Sequence, residues 1–82
     1  GKTVMPALVD AHVHTATTRE PLVEQLRAKA SFGVSAVLSL WLDNTDAAFA
    51  VRAEDIPGAA RLRTAGRGIT SPEPGRTDAP YW

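Results

Sequence analysis

The run Leu8–His14, LVDAHVH, alternates at period two. Val9, Ala11 and Val13 fall on one side of an extended chain, and Leu8, Asp10, His12 and His14 on the other. That spacing predicts a strand whose apolar side packs against helices and whose opposite side grows more polar toward its end. After a threonine-rich loop the period changes. Leu22, Val23, Leu26 and Ala30 form an apolar stripe, with Glu20, Glu24, Arg27 and Lys29 mostly outside it. The stripe predicts a helix from about Arg19 or Pro21 to Phe32. Pro21 is tolerated only in a first turn, Thr17 and Glu20 have the spacing of a capping box, and Gly33 offers a left-handed stop.

From Val34 to Leu42 apolar residues run almost without a polar gap, the mark of a parallel strand covered on both faces. Asp43–Thr45 supplies turn and N-cap chemistry for a second helix, roughly Asp46–Glu54, which Pro57 and Gly58 end. A short third strand is expected at Arg61–Thr64; beyond Gly66, glycines and prolines punctuate a segment with no periodicity. The order βαβαβ implies an α/β fold with a parallel sheet and right-handed crossovers. With both helices on one side, the other sheet face stays bare.

Composition narrows the function classes. Nine basic residues balance nine acidic ones, with no basic block, so neither a nucleic acid nor an anionic membrane is an expected partner. There is no cysteine, which removes disulfides and thiolate metal sites. The longest apolar stretch, Ala36–Leu42, falls far short of the roughly 20 residues that span a bilayer, and nothing resembles a signal peptide; the expected location is cytoplasmic. At 82 residues the chain is one small domain or a piece of a larger one, and its start at Gly1 and not Met is expected to mean that the natural start has been removed or that the chain is an excerpt of something longer.

The candidate chemistry lies in His12 and His14. A His-x-His pair arises easily by chance, and position gives this one weight. Residues i and i+2 of a strand project from the same face, about 6–7 Å apart, so two imidazoles can converge on one divalent ion. The pair sits where the first strand ends, the edge at which parallel α/β proteins assemble their sites. Two ligands are fewer than the three a catalytic zinc usually takes from protein. Asp10 shares the predicted face, one pleat deeper than a ligand would be.

The run GKTVMPALVDAHVHT (Gly1–Thr15) resembles the opening signature of the amidohydrolase superfamily, metal-dependent hydrolases built on a (β/α)8 TIM barrel. GVSAVLSL (Gly33–Leu40) is similar to that family's second strand, and AVRAEDIPGAARLRTAGRGIT (Ala50–Thr70) to the helix 2, turn and strand 3 region of imidazolonepropionase-like and prolidase-like members. The resemblance implies that residues 1–82 are an N-terminal fragment of an incomplete barrel, about three βα units of it. It further implies that His12 and His14 are metal ligands, that the cofactor is one or two divalent ions, zinc first among them, and that the intact enzyme cleaves an amide or related C–N bond of a small-molecule substrate with metal-activated water.

The sequence departs from the family at Ala7, where glycine is usual, at Ala59 and Ala60, where a proline is common, and near Gly75, where a glycine-histidine pair is frequent. The later lysine or glutamate, histidine and aspartate ligands have no counterparts, so this fragment holds no catalytic residue of its own and is expected to be inactive alone. Its partner is then the remainder of the barrel. The competing expectation is a non-enzymatic α/β module that self-associates through its bare sheet face. Asp43, Asp46, Glu54 and Asp55 read as helix caps and solvated charge, and Arg61, Arg63, Arg67 and Arg76 match no phosphate motif.

Overall fold

The computed structural model describes residues 1–40, 43 and 45–67. Strands and helices alternate as β1 (Leu8–Val13), α1 (Arg19–Ser31), β2 (Val34–Ser39), α2 (Asp46–Ala53) and β3 (Arg61–Thr64). The strands lie in the order β1-β2-β3, and both pairs are parallel. This is a small α/β fold of three parallel strands and two intervening helices, and among the described residues the sheet does not close into a barrel. The expected extension of the second strand through Trp41 and Leu42, and the punctuated segment from Gly68 onward, lie outside the described residues.

The helices form where the apolar stripe predicts. Leu22 and Leu26 of α1 are fully buried against Val37 of β2, Val51 of α2, Leu62 of β3 and Ala60, with Val13, Val23 and Val34 packed around them. Side chains from both helices share this one core, so α1 and α2 cover the same side of the sheet, as two right-handed crossovers stepping in one direction require. The backbone reinforces the packing: the Ala60 N–H donates to the Leu26 carbonyl at 2.9 Å, tying the turn before β3 onto α1.

Gly33 stops α1 as expected. Its φ is +86°, its N–H donates to the Ala30 carbonyl at 3.0 Å, and its own carbonyl receives the Leu8 N–H at 3.2 Å. The helix stop thus also begins the β1–β2 ladder. α1 starts at Arg19 as expected, but without the expected capping box. Thr18 is the N-cap and makes no side-chain capping bond. Starting at Thr18 puts Pro21, which has no carboxylate, at the position from which a glutamate would reach back, so the Thr17–Glu20 box cannot form. The Thr17 carbonyl instead accepts the Thr45 hydroxyl at 2.9 Å, joining the loop before α1 to the N-cap of α2.

Two expectations about the strands need correction. Asp10 pairs with Val37, and Val13 with Ser39, so Asp10 and Val13 both stand on the helix-covered side. Residues an odd number apart share that face because the register shifts between Asp10 and Val13, an irregularity that breaks strict alternation. Val9 pairs with Ala36 on the opposite side and is 65% exposed; it does not pack against the helices. Likewise β2 is covered on one face only: Val37 and Ser39 are buried, while Ala36 and Leu38 on the helix-free face remain half-buried.

Candidate functional site

β1 ends at Val13, and the chain that follows is pinned to the neighbouring strand ends by four bonds. The Val13 carbonyl accepts the Leu40 N–H at 3.1 Å, which extends the ladder past both strands. The Thr15 hydroxyl donates to Asp43 Oδ1 and lies 3.2 Å from the Ser39 hydroxyl. The Ala16 N–H donates to Gln25 Oε1 of α1 at 2.8 Å. His12 and His14 therefore flank a fixed point of the backbone.

Their imidazoles come together. The ring centroids are 5.4 Å apart and the planes are inclined by 40°, on side chains that remain exposed. The rings approach each other at the C-terminal end of the first strand as expected, but His14 lies beside Val13 and not on the opposite side from it. His14 also lines a groove of about 390 Å³ between β1 and α1, walled by Val13, Leu26, Phe32 and Val37. Tilted, accessible, closely spaced imidazoles fit two positions in the coordination shell of a divalent ion such as zinc. Among the described residues no group of three or more His, Cys, Asp or Glu side chains is placed to hold a metal ion.

Asp10 is engaged elsewhere. Its Oδ2 accepts the Lys29 ammonium at 2.7 Å, and its Oδ1 accepts the His12 backbone N–H at 3.3 Å. The Lys29 bond, and then the His12 N–H, hold its carboxyl below the usual aspartate value. Asp10 thus braces the irregular stretch of β1 beneath the histidines and is not aimed at them as a ligand.

The sequence reading missed Asp43. It is neither a cap nor solvated: Thr45 is the N-cap of α2, and Asp43 is 3% exposed. Its two oxygens accept hydroxyl bonds from Thr15, just past β1, and from Thr64, the last residue of β3, at 3.2 and 2.5 Å. Thr64 in turn accepts the Gly66 N–H at 2.8 Å. With Thr15 donating to Asp43, the wholly buried Ser39 hydroxyl donates to Thr15, and each member has a partner. One carboxylate therefore links the C-terminal ends of all three strands. The available signal was the alignment of Thr15, Ser39 and Thr64 at three strand ends, which becomes visible only once the register is known.

Comparisons with protein-family models, with curated proteins and with solved structures return no match to this chain. Among the described residues no helix is long and apolar enough to cross a membrane.

Proposed function

We propose that this chain is the N-terminal portion of a metal-dependent hydrolase of the amidohydrolase type, its three strands and two helices the beginning of a (β/α)8 barrel. The observation that carries the reading is the approach of the His12 and His14 rings to 5.4 Å at the C-terminal end of β1. In such barrels that end of the strands carries the chemistry. His12 and His14 would hold a divalent ion, zinc by the preference of paired imidazoles. When bound, the ion supplies Lewis-acid polarisation and water activation for cleavage of an amide or related C–N bond. Within this chain the roles are to bind and to orient: two imidazoles bind, while Asp10 and Lys29 fix the strand beneath them. The remaining ligands and the general base would come from later strands. The helix-free sheet face gives those strands somewhere to pack.

Zinc titration of the chain at neutral pH, followed by calorimetry and by the imidazole proton resonances, tests this reading. The expected result is weak binding that shifts both imidazoles and disappears with His12→Ala or His14→Ala. Two ligands cannot supply the affinity of a complete site. Tight one-to-one binding by the monomer would show the site to be complete without further strands. Absence of histidine-dependent binding would remove the metal reading altogether.

A further inference from the structure

We infer that Asp43 is a positioning residue for the histidine pair, acting through the Thr15 hydroxyl; this rests on the reading of His12 and His14 as ligands. The carboxylate is almost wholly buried, among the described residues no cation is bonded to it, and both its oxygens are occupied by threonine hydroxyls from the ends of different strands. Burying an ionisable group in this way is costly unless its bonds are made. Backbone bonds already carry both strand pairings on to Leu40 and Ala65, although the β1–β2 register is irregular. What Asp43 adds is a side-chain tether on the residue directly after His14. The opposite side of the histidine pair is tethered by Asp10, which holds the His12 N–H. The pair is thus braced before it by Asp10 and after it by Asp43, and neither carboxylate joins the two imidazoles in a metal-holding group.

Tethering at Thr15 restricts the backbone torsions that aim the His14 ring. Loss of the tether should therefore change ring geometry and metal affinity in excess of any change in folding. The test compares the wild-type chain with Thr15→Val, which keeps the shape of the side chain but removes the hydroxyl, and with Thr15→Ser, which restores it. Each is checked for a cooperative melt by circular dichroism. The readouts are the cross-relaxation between the His12 and His14 ring protons and the affinity for zinc alone.

In Thr15→Val the ring–ring signal should be lost and zinc affinity should fall by about tenfold, the scale seen when groups supporting a metal ligand are removed. Thr15→Ser should recover both. If Thr15→Val does not fold, Thr15→Ala removes the same hydroxyl from Asp43 with a smaller side chain, and should weaken the same two readouts. A folded Thr15→Val, or in its place a folded Thr15→Ala, with unchanged ring contact and unchanged zinc affinity would overturn the inference. A wild-type chain that binds no zinc refutes the functional reading, and the ring–ring signal still decides whether the tether positions the histidines.

Discussion

The two faces of the sheet are opposite in packing, and on β2 their chemistry is the reverse of what packing alone would select. On the covered face Val37 and Leu62 meet Leu22, Leu26 and Val51 in a dense core. Yet β2 flanks Val37 there with Ser35 and Ser39, while it gives the helix-free face the more apolar Ala36 and Leu38. Val9 beside Ala36 is 65% exposed, and Arg61 and Arg63 share that face in solvent. The more apolar side of β2 is thus its less buried side. This contrast agrees with a chain that forms part of a larger sheet or assembly.

Substitutions on the two faces offer the largest test of the contrast. Leu26 is 1% exposed at the centre of the core, so Leu26→Ala should destabilise by about 3 kcal/mol, within the range for buried leucines, and in so small a domain should abolish the cooperative transition. Val9→Ala on the bare face should stay within about 0.5 kcal/mol. Urea denaturation at several protein concentrations measures both. A Val9→Ala cost near that of Leu26→Ala would mean that the bare face is covered in solution. A dependence on protein concentration would identify the cover as a second copy of the chain.

A smaller effect is expected where the phase of β2 is set. Gly33, at φ +86°, ends α1 and starts the ladder against β1, and a Cβ built on it meets no atom within 4 Å. The requirement is for the left-handed backbone and not for space, so Gly33→Ala should cost about 1–2 kcal/mol. If the substitution instead slips β2 by one residue, Val37 and Ser39 would exchange faces with Ala36 and Leu38. Amide exchange protection along β2 distinguishes simple strain from a slip, since only a slip would alter which amides are protected.

How far the sequence reveals this structure follows from the range of the interactions involved. α1, α2, β3 and the Gly33 stop are local features, set by stripes, turn residues and β-branched runs, and they appear where the periodicity puts them. The convergence of His12 and His14 is also local, since the two are one residue apart at a strand end. The faces of β1 were not legible: period-two counting assigns Asp10 and Val13 to opposite sides, and the register shift between them cannot be counted from the sequence. The burial of Asp43 was hidden for a related reason. An aspartate before a helix ordinarily caps it, and only the parallel register brings Thr15 and Thr64 to its two oxygens. Long-range pairing decided each feature that local pattern misassigned.

The smallest expected effect lies at the charged margin of the covered face. Asp10 on β1 is bonded to Lys29 of α1, and Glu54, just after α2, accepts both terminal nitrogens of Arg19 at 2.7 Å. The Lys29 bond holds the Asp10 carboxyl below its ordinary 3.8, and the Arg19 bonds hold the Glu54 carboxyl below its ordinary 4.5. A carboxyl with a depressed value in the folded state binds its proton less readily there than in the unfolded chain. Its contribution is therefore fully present above the ordinary value and is lost as pH falls through the depressed one. All four groups are well exposed, so water and salt screen the pairs and the contribution is slight. Lys29→Ala and Arg19→Ala should each flatten the acid limb of the stability curve below about pH 4.5 at low ionic strength, with little change at neutral pH beyond loss of the pair itself. The flattening should disappear in concentrated salt. Denaturant midpoints recorded down this pH range measure it. If the two variants keep the full acid limb, its origin lies with carboxylates away from this margin, and the ion pairs contribute nothing to the stability of the covered face.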